Sequence, residues 1–304
     1  MSKLLCAGAR RYAKSRLVWA TFAVTIVAAF LCGYTASKTY FEEIFVIGEM
    51  LLVGITISWL VGRESGEGVL RNKIVVGHTK GKVLASELLL GIIFSSIIFL
   101  TFTTIFMILN EYLLAVVPIG ILLKIGLDLL AINIVFAMMM VTINCLFSHR
   151  TIVMVISILF VLGTTYISMN LRSDLKQEEY HIDYETELLT IVGEDGTTYT
   201  DVVRIEGTER KIVNRDYVHE PMRTVYKAIY NIFPYGHIAE QTDFLSRYMG
   251  SKFANLQMVD GTSDVFIMTD TEEKDLNINL IYDFVLIGLV AMLGYVCFRR
   301  KDLR

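Results

Sequence analysis

The chain has little of what punctuates or staples most folded modules. Among its 304 residues are three prolines, two tryptophans and four cysteines. So few prolines, with moderate glycine, exclude a collagen-like or Pro-rich disordered chain. The cysteines, Cys6, Cys32, Cys145 and Cys297, suit neither a structural disulfide set nor metal-site spacing. Charge is scarce too. A formal net charge of -3 excludes the basic footprint of a nucleic-acid binder, so no nucleic-acid partner is expected. Catalytic motifs are missing. Gly81-Lys82 is followed by Val83 and lacks the upstream glycine of a phosphate-binding loop, so the chain cannot bind ATP by that route. There is no H-E-x-x-H and no G-x-S-x-G. His237-Ile238-Ala239-Glu240 is a lone H-x-x-E, and His181, His219 and His237 read as surface or turn residues. Neither an enzymatic centre nor a cofactor or metal in this chain is expected.

What is present is apolar sequence, 54% of residues, with a mean hydropathy of +0.53. A helix needs about 20 mostly apolar residues to cross a bilayer. Such runs lie at 17–35, 44–61, 84–109, 122–147, 151–169 and 278–298. The first is too long for the apolar core of a signal peptide, and Ala36-Ser37-Lys38 is a poor cleavage site. Residues 110–121, with Pro118 and Gly120, read as an interfacial loop. The fold class expected is an α-helical integral membrane protein with six transmembrane helices.

Basic residues set the orientation. They cluster before the first span (Lys3, Arg10, Arg11, Lys14, Arg16), after the second (Arg63, Arg71, Lys73, Lys80, Lys82), after the fourth (Arg150) and after the last (Arg299, Arg300, Lys301, Arg304). With six crossings all of these share one side, the cytoplasm, and both termini are expected there. The opposite short loops carry almost only Lys38. On this topology three cysteines fall near the cytoplasmic side and one near the outer end of a span.

Residues 170–277 are rich in Asp and Glu and are expected outside, as an α+β extracellular domain between spans 5 and 6. Runs 188–192 and 197–205 flank Asp195-Gly196, a hairpin signal. Residues 211–218 add a possible third strand. An amphipathic helix is expected over 222–233, stopped by Pro234-Tyr235-Gly236. The domains are thus 1–169, 170–277 and 278–304.

Between spans 2 and 3 lies a compact charged helix, about 63–80, bounded by glycines that permit sharp turns. A helix started at Gly68 places Val69, Lys73 and Val76 on one side and Arg71 on another. Several ionisable residues also fall inside spans, where they are costly and face the bundle interior or a partner. Glu49 is a candidate for an outward vestibule or a structural pair. Lys124 and Asp128, at i and i+4, can pair with each other. Asp283 lies near the outer end of the last span. Asn133 and Asn144 suit helix–helix hydrogen bonding. Glu49, Asp283 and Asn133 are the candidate pathway residues.

The chain resembles the permease subunit of type-2 ABC exporters, the bacterial ABC-2 family. Four segments carry the resemblance. Tyr12-Ala13-Lys14-Ser15-Arg16-Leu17-Val18-Trp19 is similar to the family's interfacial helix. Glu64-x-x-x-Gly68-x-x-x-Asn72-Lys73-x-x-x-Gly77, running into Ser86-Glu87-Leu88, resembles its coupling helix; Glu87 and His78-Thr79 stand where the family often has a basic residue and Ser-Arg. Phe298-Arg299-Arg300-Lys301-Asp302-Leu303-Arg304 resembles its basic ending, and Tyr230-Asn231-Ile232-Phe233-Pro234-Tyr235-Gly236 the segment before its last span. The resemblance implies an exporter of a peptide, lipid or drug-like amphipathic substrate, such as an antimicrobial peptide, in the plasma membrane. It implies cytoplasmic ABC ATPase subunits, which bind the ATP and Mg, and a second permease copy or sister permease as partners. It assigns ATPase coupling to Glu64, Gly68, Arg71, Asn72, Lys73, Gly77 and His78. A competing expectation is a membrane sensor or immunity subunit that binds an extracellular peptide and signals to a cytoplasmic partner.

Overall fold

The computed structural model describes residues 1–35, 43–147, 150–183, 186–192, 198–204, 210–257 and 270–301. The Asp195-Gly196 turn, Lys38 and the last three residues of the basic tail lie outside them. Two compact units emerge, one of residues 1–168 with 231–304 and one of residues 169–230.

The first unit is helical. Among the described residues, six helices are long and apolar enough to cross a membrane: α2 (Arg16–Thr35), α3 (Glu43–Gly66), α5 (Lys80–Leu109), α7 (Ile119–Leu146), α8 (Arg150–Leu175) and α11 (Asp270–Arg300). The chain is therefore a helical protein of membrane-embedded character. Its exposed surface agrees. Val27 and Phe30 on α2, Ile93 and Leu100 on α5, Leu159 on α8, and Phe284 and Met292 on α11 are all exposed. Apolar stripes of that extent are expected against lipid, not water.

Helix α7 is the hub. Seventy-two per cent of its most apolar stretch is buried, against 11% for α11. A helix apolar all round belongs at the centre of a bundle. Side-chain pairings give the helix directions. Along α3 and α7, Glu49 meets Asn133, Gly54 meets Phe136 and Ser58 meets Asn144, so the two run parallel. Along α5 and α7, Ser95 meets Asn133 while Gly91 meets Val141, so they run antiparallel. Helices α2 and α5 run parallel, by Phe22 against Phe94 and Gly33 against Leu109. The directions of these four spans alternate in chain order.

Hydrogen bonds stitch the spans. Thr21 and Thr56 hydroxyls lie 2.7 Å apart, and those of Ser58 and Ser157 2.8 Å. Asn144 Nδ2 donates to Ser58 Oγ at 3.1 Å. Without a hydrophobic force between helices in lipid, such bonds and close packing at small residues hold a bundle together. At Gly91 an added Cβ would stand 2.6 Å from Val141 Cγ2.

Four further helices complete this unit among the described residues. Helix α1 (Ser2–Lys14) is amphipathic and buries Leu4, Gly8 and Tyr12, one per turn. Gly8 lets it lie on Leu90 of α5, and the Tyr12 ring stands edge-on to Phe94 at 5.7 Å. Helix α4 (Val69–Val75) follows α3. Helix α6 (Glu111–Val116) occupies part of the stretch read as a loop, with Asn110 capping it and Pro118 starting α7. Helix α10 (Pro234–Gln257) departs from expectation. The helix expected over 222–233 does end before Pro234, at Ile232, but Pro234 then opens a further helix that was not expected. The helix packs on α7 and α3. Tyr235, Ile238, Ala239 and Leu245 are buried together with the polar His237, Gln241 and Thr242, whose presence lowers the average hydropathy of a helix that the bundle nonetheless encloses.

In the second unit, β2 (Thr186–Val192) and β3 (Thr198–Arg204) form the expected antiparallel hairpin, with Val192 opposite Thr198. The further strand, β4 (Arg210–Val213), pairs instead with β1 (Tyr180–Asp183), which the sequence did not signal. Asn214 Nδ2 donates to the Glu178 carbonyl at 3.0 Å. Arg223, near the start of α9 (Met222–Ile232), donates to the Leu175 carbonyl at 2.7 Å and lies 4.8 Å from the Tyr217 ring centroid.

Candidate functional site

Two groups of buried charge stand out in the helical unit. The first is at the basic end. Helix α3 ends at Gly66, and Gly68, at φ 71, turns the chain into α4. Gly77, at φ 103, turns it out again. These are backbone states that residues with a Cβ rarely adopt, which explains a glycine at each end. The carbonyls of α4 are capped by Val76, Gly77 and His78 amides, the last reaching back to Lys73 at 3.2 Å in the manner of a Schellman turn. Thr79 then caps α5.

Seven residues make a marginal helix, and tertiary contacts hold this one. Leu70 is buried. Lys73 Nζ donates to Glu64 Oε2 on α3 at 2.6 Å and to Glu87 Oε1 on α5 at 2.5 Å. Arg11 on α1 forms an ion pair with the other oxygen of Glu64. Two cations thus balance two carboxylates, and four helices meet in one ionic cluster. Burying such charges is tolerable only because they are paired. Beside it, burial and then the Glu87 carboxylate push the Tyr12 phenol well above its ordinary pKa.

The coupling residues sort accordingly. Glu64 is buried, and Gly68, Lys73 and His78 are half-buried. Arg71, Asn72 and Gly77 are exposed, together with Val75 and Val76, which are 76% and 79% exposed. Lys73 therefore does not share the face of Val76: it points inward, and the outer surface is Arg71, Asn72, Val75 and Val76. Nearby, Lys80 Nζ donates to the Lys301 carbonyl at 2.7 Å, and Lys301 Nζ to the Cys145 carbonyl at 2.9 Å. These cations satisfy carbonyls at the ends of α7 and α11. Burial pulls the Lys301 pKa below its ordinary value.

The second group lies where α7, α10 and α11 meet. His237 and Gln241, at i and i+4 on α10, both reach Asp128: Gln241 Nε2 donates to Asp128 Oδ2 at 2.8 Å, and His237 Nδ1 lies 3.4 Å from the same oxygen. His237 Nε2 donates to the Asn231 carbonyl at 2.7 Å and lies 3.8 Å from Asp283 Oδ1. His237 is 1% exposed, not the surface or turn residue expected. Burial alone would lower its pKa, but the Asp128 hydrogen bond and the charges of Asp283 and Asp128 outweigh it, and the ring's pKa rises to about 9. Asp128 is thus turned toward α10. Lys124, the partner expected for it, is half-buried one turn earlier on α7.

The candidate pathway residues divide. Glu49 and Asn133 come together: Asn133 Nδ2 donates to Glu49 Oε1 at 3.0 Å, and Ser95 Oγ donates to Asn133 Oδ1 at 2.9 Å. Asp283 belongs to the Asp128–His237 group instead. Sequence reasoning missed His237 and Gln241. Their i, i+4 spacing on a helix that opens with Pro234 was the available signal.

No known protein family matches the chain, and no curated protein matches it.

Proposed function

We propose that the chain is the membrane permease subunit of an ATP-driven ABC-2-type exporter, partnered by separate cytoplasmic ATPase subunits. The observation that carries this reading is the clamp on α4. A helix that transmits force needs an exposed contact face and a stiff connection to the spans behind it. Arg71, Asn72, Val75 and Val76 offer the face. Lys73, bound to Glu64 and Glu87, offers the connection to both flanking spans at once. Displacement of α4 by ATPase closure moves α3 and α5 together, and Arg11 carries α1 with them. Helix α3 in turn holds α7 through Glu49–Asn133 and Ser58–Asn144. The substrate class is an amphipathic peptide, lipid or drug-like molecule exported across the plasma membrane, with both termini of this chain in the cytoplasm.

The test is copurification from the cells that make the protein. The tagged full chain should bring down a nucleotide-binding ATPase. Val75→Glu combined with Val76→Glu should lose it while accumulating normally in the membrane. Recovery of a histidine kinase in place of an ATPase would favour the sensor reading, and full ATPase recovery by the double variant would remove α4 as the contact.

A further inference from the structure

We propose that Asp128, His237 and Asp283 form a binding site for one divalent transition-metal ion, Zn2+ by the chemistry of the donors. The three side chains come from three helices, and their ligand atoms all lie within 4.8 Å of one another. All three are buried. Two ligands of a tetrahedral zinc stand roughly 3.3 Å apart, given metal–ligand distances of about 2.0–2.2 Å. His237 Nδ1 and Asp128 Oδ2, at 3.4 Å, match that separation and make only a long hydrogen bond.

The unmet valence of the carboxylates points the same way. Both oxygens of Asp283, and Oδ1 of Asp128, are buried without a hydrogen-bond partner. Native structures rarely leave such atoms unsatisfied. Once a metal displaces the ring proton of His237, the two carboxylates and the imidazole carry a charge of -2, which a divalent cation cancels. In an apolar surrounding that cancellation removes a large penalty.

The outer contacts are those of a metal ligand set. Because the Asn231 carbonyl only accepts, Nε2 of His237 must carry the proton in that bond, so Nδ1, which faces Asp128, is the nitrogen that can exchange its proton for a metal. Gln241 orients the Asp128 carboxylate in the same way. Such second contacts fix the tautomer and orientation of ligands. One imidazole nitrogen with two carboxylates selects a first-row transition ion; Ca2+ takes six to eight oxygens, and Mg2+ keeps its waters. The ion would bridge α7, α10 and α11, the role of a structural site. This inference is independent of the exporter reading.

The experiment uses the full chain purified in detergent, equilibrated with micromolar Zn2+ and passed through gel filtration. Wild type should retain about one zinc per chain by elemental analysis. Chelation should lower its unfolding temperature by several degrees, and added Zn2+ should restore it. Asp283→Asn, which keeps the side-chain shape, and His237→Ala should each weaken binding by at least about tenfold; His219→Ala should not. Wild type that retains no zinc and ignores the chelator overturns the proposal, whatever the variants do. Wild-type zinc content in Asp283→Asn combined with His237→Ala overturns it equally.

Discussion

Lys73 on α4 and Glu87 on α5 meet at 2.5 Å, with the Glu87 side chain 1% exposed. A lysine on an apparently solvent-facing loop helix is thereby a structural member of the bundle. Replacing it with Met leaves two buried carboxylates and only Arg11 to balance them. Loss of one partner of a buried pair costs about 3–5 kcal/mol. Lys73→Met should therefore unfold at a clearly lower temperature than wild type in detergent. Lys73→Met with Glu87→Gln should recover part of the loss. Equal stability of Lys73→Met and wild type would show that the cluster is not buried as described.

The turn at Gly77 should matter for coupling more than for insertion. Proline there cannot supply the amide that donates to the Ile74 carbonyl at 2.9 Å, nor adopt φ 103. Gly77→Pro is expected to accumulate in the membrane yet lose substrate-stimulated ATPase activity in the reconstituted complex. Wild-type stimulation would separate α4 from transmission.

Glu49 and Asn133 give a test of interior polarity. Glu49→Gln keeps an oxygen for Asn133 and should change stability by no more than about 1 kcal/mol, whereas Glu49→Leu strands the amide and should cost about 1–3 kcal/mol. Export per molecule in Glu49→Gln then decides its second role. A fall in export at unchanged stability places Glu49 on the pathway, and unchanged export removes it.

Packing at small residues predicts opposite outcomes for two glycine substitutions. Gly91→Val drives side-chain atoms into Val141 and should destabilise by roughly 1–3 kcal/mol. A Cβ at Gly126 meets nothing within 4 Å, so Gly126→Ala should be neutral or stabilise by up to about 1 kcal/mol. Thermal unfolding of the two purified variants checks both; a destabilised Gly126→Ala would mean that α7 packs differently.

Sidedness can be read by labelling intact cells with an impermeant maleimide, in a background lacking the exposed Cys6 and Cys297. A cysteine at Asp216 should react, and one at Glu67 should not. The reverse pattern would invert the topology.

How far the sequence reached depends on the range of the physics involved. Six spans are legible because membrane crossing is a local, additive property of about 20 residues. The β2–β3 hairpin is legible because a turn dipeptide and its flanking strands are neighbours in the chain. The glycines that bound α4 are legible for the same reason: Gly68 and Gly77 act through their own backbone angles. Helix α10 escaped because its buried residues include the polar His237, Gln241 and Thr242, which a hydropathy average counts as surface.

What the sequence alone determined is which segments are apolar, where they break, and where basic charge accumulates. Tertiary structure decided which polar side chain finds which partner. His237 and Asp128 are 109 residues apart, and Glu49 and Asn133 are 84. Nothing in either local segment encodes those meetings. Buried charge must be paired wherever the packing of helices brings a partner, so Lys73 turned inward to Glu64 and Glu87, and Asp128 turned to α10.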